Sequence, residues 1–332
     1  MRAAVIGLGA FGTALANTLA SRCDEVRAWA REQAVVDAIN GPRENRTYLP
    51  GIPVSPRVRA TLSLEEALSG AELVVFATPS HVMRDVVRKA LPHLPEHVPL
   101  LTVAKGIENE TLMTMTQLLE DCLPEKYHPS IAILSGPSFA KEMAAGMPTV
   151  VTVASHFEKV AQKVQAALQT ESFRTYTSID VIGVEMGGAL KNVIAIAAGM
   201  SDGLGFGLNA RSALITRGLA EISRIAVRMG ANHLTLMGLS GLGDLVLTCT
   251  GDLSRNRRVG MELGKGRALE QVLADMTQVA EGVKTALSAR DLSRKVGVEL
   301  PICDQVHAIM YEGKSPRRAV VELMTRAPKR ED

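Results

Sequence analysis

Residues 3–20, "AAVIGLGAFGTALANTLA", pass from a short apolar run through a glycine-spaced turn into a run of small, helix-forming residues. Gly7, Gly9 and Gly12 stand in the pattern G-x-G-x-x-G. Glycines so spaced permit a tight turn, close approach of backbone to a pyrophosphate, and close packing of helix on strand, while the helix N-terminus favours the negative charge. As a bare hexapeptide the pattern is weak. Its place at the very first βα turn makes it a dinucleotide-binding signal.

The same texture continues down the first half of the chain. The runs "EVRAWA", "ELVVFATPS", "LLTVAKG", "SIAILSG" and "TVVTVAS" are short, apolar and separated by helical patterns, which predicts βαβ units in a mostly parallel sheet. From about residue 181 the pattern changes to long helix-forming stretches such as "NARSALITRGLAEISRIAVRMG" and "LEQVLADMT". The expected architecture is α/β: an N-terminal Rossmann-type doubly wound sheet over residues 1–180, followed by an all-α substrate-binding domain over residues 181–332. No repeat or low-complexity linker separates the two, so a tight interface is expected.

With 332 residues, 46% of them hydrophobic, the chain can bury a core of two-domain size. A formal net charge of only +2 gives no general attraction for nucleic acid or anionic membrane, so any anion must be bound locally. The four cysteines, Cys23, Cys122, Cys249 and Cys303, are scattered without metal-binding spacing and read as reduced thiols. No metal is expected. The N-terminus enters a strand pattern at once, and no apolar run approaches the ~20 residues that span a bilayer. A cytoplasmic protein without membrane insertion is the expectation.

The second strand should end near the adenosine ribose, where Arg31 is followed by Glu32. Arginine can pair with a ribose 2′-phosphate, so NADP or NAD is expected as cofactor with NADPH favoured. Ligands of open α/β sheets bind outside the carboxyl ends of the strands. Two strands leave polar residues there: Lys105 after "LLTVA", and Ser135, Gly136 and Ser138 in "SGPS". Ser138 is suited to hold a phosphate or hydroxyl, or to cap a helix.

In the second half, Asp244 and Thr248 fall at i and i+4 on one helical face, with Leu245, Val246 and Leu247 turned away. "SRNRR", residues 254–258, combines arginine forks with Ser254 and Asn256 as neutral donors, a set suited to phosphate. It lacks the interleaved aromatics and overall basic charge of a nucleic-acid site. Lys191 and Asn192 stand in the middle of the otherwise apolar "GGALKNVIAIAAGMSDG", residues 187–203. A buried ammonium there needs a partner, for which Asp244 is the candidate. Gly187, Gly188, Ala195 and Ala198 read as clearance around that ammonium. Asn192 would orient a substrate or bond to backbone.

"LKNVIAIAAGMSDGLGFGLNARSALITRGLAE", "GLGDLVLTC", "SRNRR", "SGPSFAKE" and "EGVKTA" together closely resemble the bacterial NAD(P)-dependent glycerol-3-phosphate dehydrogenases. The likeness runs in order from "GLGAFGTAL" to "PICDQVHAIMYEG", and five separated motifs are far more specific than any one. It implies a Rossmann domain followed by a helical substrate domain, a homodimer, and reversible reduction of dihydroxyacetone phosphate to sn-glycerol 3-phosphate for phospholipid synthesis. It also implies that Lys191 is the catalytic lysine. By the same likeness Lys105, Gly136, Ser138, Asp244, Ser254, Arg255 and Asn256 surround a small phosphorylated substrate. Ala10, Phe11, Arg31, Lys105, Ala140, Arg255, Val279 and Glu281 resemble cofactor contacts. Ala10-Phe11 stands where the family often has Ser-Trp, and Arg211-Ser212 where two small residues are usual.

An acid at neutral pH needs a pKa well below lysine's ordinary ~10.4. Desolvation or a second cation, Lys105, would lower that of Lys191, and Asp244 would raise it. Lys191 would then transfer a proton to the ketone oxygen or polarise it as a cation. Two rival readings are a ketopantoate-type ketone reductase, which needs no phosphate cluster, and a non-catalytic NADP-binding sensor, which needs only the glycine loop.

Overall fold

The computed structural model describes residues 1–276, 278–328 and 330–331. Eight strands form one sheet: β1 (Arg2–Ile6), β2 (Glu25–Trp29), β3 (Val58–Thr61), β4 (Leu73–Phe76), β5 (Leu100–Thr102), β6 (Ile131–Ser135), β7 (Thr149–Ala154) and β8 (Phe173–Ser178). Their order is β3-β2-β1-β4-β5-β6-β7-β8. Every neighbouring pair is parallel except β6 and β7, which run antiparallel. The chain leaves β1 in one direction through β2 and β3 and returns to its other side at β4. The gap between the carboxyl ends of β1 and β4 is therefore the topological switch point at which ligands of such sheets bind.

Alternation of side chains along β1 explains the two layers of helix. Ala3 and Val5 belong to one buried cluster with Ala14, Leu15 and Leu19 of the helix Ala10–Ala20, while Ala4 and Ile6 face a second with Met83, Val87 and Leu118. Six of the eight strands are the apolar runs expected from the sequence. β3 and β8 lie at the two edges, and their alternating buried and exposed residues, "VRAT" and "FRTYTS", do not read as apolar runs.

From Val181 on, every element among the described residues is helical. Within the expected helical stretch "LEQVLADMT", Leu269–Ala274 is helix and Thr277 lies outside the described residues. The helix Val181–Gly203 runs through the middle of this half. It starts at Asp180, whose carboxylate accepts from the Gly183 N–H at 2.9 Å. It corrects one expectation: its 23 residues and mean hydropathy of 1.5 do reach membrane-spanning length and apolarity, but 94% of that window is buried inside the protein. It is a core helix.

Where this helix crosses the helix Arg255–Gly264, backbone touches backbone. A Cβ on Gly199 or Gly203 would fall 2.0 Å from the Arg257 carbonyl oxygen or 2.2 Å from that of Met261. A Cβ on Gly260 or Gly264 would meet the carbonyls of Ile196 and Met200 at 2.0 and 2.4 Å. Both helices thus carry G-x-x-x-G on the facing side, which lets their axes approach more closely than side chains allow.

Candidate active site

A cleft of about 960 Å³ opens at the switch point and is walled on its far side by the helical half. The glycine loop forms one end. Gly7 has φ 116°, and a Cβ there would stand 2.9 Å from the Ala77 carbonyl carbon. On Gly12 a Cβ would lie 1.9 Å from the Gly7 oxygen, so Gly12 serves helix-on-strand packing and is not part of the cleft wall. At Gly9 nothing lies within 4 Å of a Cβ position, which leaves the backbone bare toward the cleft. That is the cradle a pyrophosphate needs at the N-terminus of Ala10–Ala20. Ala10 and Phe11 line it, and Ala140, the first residue of the short helix Ala140–Ala144, stands opposite in the same cleft.

Arg31 lies past the end of β2 on the cleft wall. Its guanidinium donates to Glu32 at 2.8 Å and its side chain is 79% exposed. The Tyr48 hydroxyl donates to the same carboxylate at 3.4 Å. An exposed pair of this kind is held weakly, and a guanidinium has further N–H groups to offer a phosphate.

The opposite end of the cleft holds a buried cluster of three charges. Asp244 is the first residue of the helix Asp244–Thr250, following a π-helical turn at Leu239–Gly243, and is 2% exposed. A helix N-terminus favours its carboxylate. Lys105 approaches from the sheet half: its ammonium donates to Asp244 Oδ2 at 2.5 Å and to the Gly136 carbonyl at 3.2 Å. Lys191, 6% exposed, lies 3.3 Å from Asp244 Oδ1. The close partner of Asp244 is therefore Lys105, and the expected Lys191–Asp244 pair is its longer arm. Lys191 instead donates to Thr248 Oγ1 at 2.8 Å and to Asn192 Oδ1 at 3.1 Å. Thr248 can accept because its own proton goes to the Asp244 carbonyl at 2.6 Å, one helical turn back. Of the three apolar residues expected to turn away from this face, Leu245 is fully buried and Val246 points to solvent, but Leu247 lines the cleft.

The clearance reading of the small residues is overturned. A Cβ on Gly187 would fall 2.4 Å from the Ser240 carbonyl oxygen, and one on Gly188 would fall 2.5 Å from Ser135 Oγ and 3.5 Å from the Lys105 methylenes. Ala195 and Ala198 are fully buried in the apolar core. These positions are small because neighbouring elements press on them, and Gly188 clears the stem of Lys105 instead of the head of Lys191. Asn192 lines the cleft, and its side chain bonds to Lys191 and to Asn256 and not to backbone.

Burial holds the Lys191 ammonium below lysine's ordinary pKa, and the nearby Lys105 charge adds to that while Asp244 opposes it. Glu281, which lines the same cleft, is pushed above the usual carboxylate range by burial, against the pull of Arg255, Lys191, Lys105 and the Ser80 N–H.

Gly136 has φ 141° and packs against Val151 behind the cleft wall, where its carbonyl also accepts from the Ser138 hydroxyl at 3.0 Å. Ser138 lines the cleft and does not cap the following helix, whose N-cap is Phe139. Ser254 caps the helix Arg255–Gly264 by accepting from the Arg257 N–H at 3.2 Å. The "SRNRR" cluster then divides. Arg255 and Asn256 line the cleft, with Arg255 exposed, whereas Arg257 turns inward to Asp202 and Asp252, each at 2.8 Å. Asp202 also takes Arg211 at 2.6 Å, which accounts for an arginine at that position. Nothing in the structure explains Ser212.

The cleft wall also contains Thr78, Pro79 and His81 after β4, together with Tyr48, Phe139 and Gln278, none of them singled out from sequence. The "ATPS" that closes β4 carried a usable signal, because β4 is the strand beside β1 at the switch point. Gln278 and Tyr48 carried none: they meet only when the chain folds, Gln278 Nε2 donating to the Tyr48 carbonyl at 3.3 Å across 230 residues.

A glycine turn bare toward a cleft at the switch point, facing a buried lysine from a helical second half, defines a two-domain pyridine-nucleotide oxidoreductase. The chain belongs to the NAD-dependent glycerol-3-phosphate dehydrogenase family, matching its N-terminal description over residues 2–161 and its C-terminal description over residues 180–321. It is 71% identical to the NAD(P)+ glycerol-3-phosphate dehydrogenase of Myxococcus xanthus, over 100% of this chain and 99% of that one. Its fold is similar to the crystal structure of glycerol-3-phosphate dehydrogenase from Coxiella burnetii, with a TM-score of 0.93, 37% identity, and 98% and 99% of the two chains covered. A ketopantoate reductase from Ralstonia eutropha shares the fold at a TM-score of 0.60 and 17% identity, covering 96% of this chain and all of its own.

Proposed function

We propose that this chain interconverts dihydroxyacetone phosphate and sn-glycerol 3-phosphate with NAD(P)H, supplying glycerol 3-phosphate for phospholipid synthesis. The observation that carries this is the Lys105–Asp244–Lys191 cluster, set in one cleft between the bare glycine turn and the Arg255–Asn256 pair. A nicotinamide bound in this cleft would supply the hydride that the ketone carbon takes up. Lys191 stabilises or protonates the oxygen that gains charge, and Asp244, shared by both lysines, holds the two cations in register. Arg255 takes the phosphate through its guanidinium fork, with Asn256 and the Ser254 hydroxyl as neutral donors. Ser138 stands at the other lip. Gly7, Gly9, Ala10 and Phe11 hold the pyrophosphate, Gly12 and Gly136 support their loops from behind, and Arg31, Ala140, Val279 and Glu281 flank the rest of the dinucleotide.

Residues 1–180 thus act as the dinucleotide-binding unit and residues 181–332 as the substrate-binding unit, in a cytoplasmic homodimer. Exposed Leu208 and Leu234 in the helical half, 70% and 73% accessible, support a covered surface there; light scattering on the purified protein tests the dimer. NADPH is the favoured cofactor because Arg31 stands at the ribose end of the cleft. Arg31→Asp should lower the NADPH to NADH ratio of kcat/KM, and an unchanged ratio removes Arg31 from that role. The reaction itself is tested by following NADPH absorbance with dihydroxyacetone phosphate, with ketopantoate and with no ketone. Oxidation with the first alone is expected, and oxidation with ketopantoate alone would overturn the assignment.

A further inference from the structure

Asn192 accepts at one atom from two directions: its Oδ1 receives the Lys191 ammonium at 3.1 Å and Asn256 Nδ2 at 2.9 Å. A side-chain amide can be turned either way by its neighbours, so the question is what fixes its polarity. The answer lies one residue further on. The backbone N–H of Gly282 points at Asn256 Oδ1 from 2.9 Å, and a backbone N–H can only donate. Asn256 must therefore present oxygen to Gly282 and NH2 to Asn192. Asn192 must in turn present oxygen, because its own NH2 would meet both the Asn256 NH2 and an ammonium.

The direction of the whole chain, from Gly282 through Asn256 and Asn192 to Lys191, is thus set by one peptide group. A Cβ on Gly282 would fall 2.6 Å from the Asn192 carbonyl oxygen, so the two backbones are held against each other and the chain has no slack. Asn192 and Asn256 are 3% and 8% exposed, so little of either amide is open to the cleft. Gly282 directly follows Glu281 in the cofactor wall of the cleft, so that wall and the ammonium share one strip of polar contacts.

We propose that Asn192 is a positioning residue, its carbonyl oxygen oriented through Asn256 by the Gly282 N–H so as to fix the place of the Lys191 ammonium. The proposal rests on the reading of Lys191 as the group that serves the ketone oxygen. The charged groups facing Lys191 are Asp244 from the start of the helix Asp244–Thr250, Lys105 from the loop after β5 and Glu281 from the start of the helix Glu281–Val296, with the neutral Cys249 thiol, pushed up to about 12 by burial, beside them. Reduction needs the lysine charged, so kcat falls as pH rises through its pKa.

Two variants of opposite sign test this. Asn192→Asp keeps the shape and adds a negative charge, which should move the alkaline limb of the kcat profile up by about one pH unit. Asn192→Leu removes the acceptor, and should move the limb down while lowering kcat. Both should leave KM for dihydroxyacetone phosphate within about threefold, since the proposed role touches no substrate atom. A raised KM with an unmoved limb in either variant would make Asn192 a substrate contact and overturn the proposal, as would loss of thermal stability with an unmoved limb. Should the Leu variant fail to fold, the near-isosteric Asp variant carries the same two outcomes. Lys191→Ala is the control. If it keeps both turnover and limb, the underlying reading of the lysine fails; if it loses them while the Asn192 variants do not shift, this inference alone fails.

Discussion

An ammonium has three N–H groups, and Lys191 has three partners: Thr248, Asn192 and, at the longest distance of 3.3 Å, Asp244. A ketone oxygen that is to receive a hydrogen bond must displace one of them, and Asp244 is the one that can leave at least cost because it keeps Lys105 at 2.5 Å. The second lysine therefore frees the first. Lys191→Ala should lower kcat by about 100-fold to 10,000-fold with little change in cofactor affinity, as for loss of a general acid, and near-normal turnover would refute the assignment. Arg255→Ala should chiefly raise KM for the phosphorylated ketone, because its fork binds the part of the substrate that does not react; a pure kcat defect would count against phosphate binding there. The residues of this cluster and the Lys191–Asp244 pair were legible in the sequence, but the closer Lys105–Asp244 pair was not. Spacing places Asp244 and Thr248 on one face, yet only the folded chain brings Lys105 across 139 residues to the carboxylate ahead of Lys191.

Elements were legible where burial is complete and faint where it is partial. Of the six apolar runs, β1, β4, β5 and β6 are covered on both faces and β2 and β7 partly so, whereas the edge strands β3 and β8 alternate buried with exposed residues. Glycine is the element most easily misread, since spacing alone does not tell clearance for a ligand from contact between backbones. At the crossing of Val181–Gly203 and Arg255–Gly264 it is contact: Gly199→Ala would push a methyl to 2.0 Å from the Arg257 carbonyl and should cost about 1–3 kcal/mol, seen as a lowered midpoint in urea. The helix Pro301–Tyr311 offers a test in pH. Its first N–H groups, those of Ile302 and Cys303, donate to the carboxylate of Glu221 at 2.7 and 3.3 Å, and burial pushes that carboxyl up to about 7. The folded state then holds a proton that the unfolded chain releases near the ordinary 4.5, so this group's contribution is full below about 4.5 and is lost as pH rises through about 7. Glu221→Gln should remove that part of the pH dependence, giving thermal midpoints at pH 5 and pH 8 that differ less than in the parent; an unchanged difference would show that Glu221 does not titrate there.

Among the described residues, polar ties that join the sheet half to the helical half include Lys105 to Asp244 and Gln278 to Tyr48 beside the cleft, and Glu185 to the amide and hydroxyl of Thr116 at 2.8 and 2.6 Å further back. Thr116→Val keeps the shape and leaves the buried Glu185 one partner short, so it should cost about 1–3 kcal/mol in urea unfolding without altering KM for either substrate. An unchanged midpoint would show that the tie is not stressed in the folded molecule. The glycine crossing has a bearing on motion. With no side chains between them, the helices that carry Lys191 and Arg255 have nothing to repack at their crossing and are held together as one body. Any hinge opening of the cleft must then leave Lys191 and Arg255 at a constant separation and change their distance from Lys105. Lys105, in the loop after β5, and Asp244, in the helical half, are the pair that any such opening would have to separate, so a spectroscopic label pair spanning that gap would report it directly.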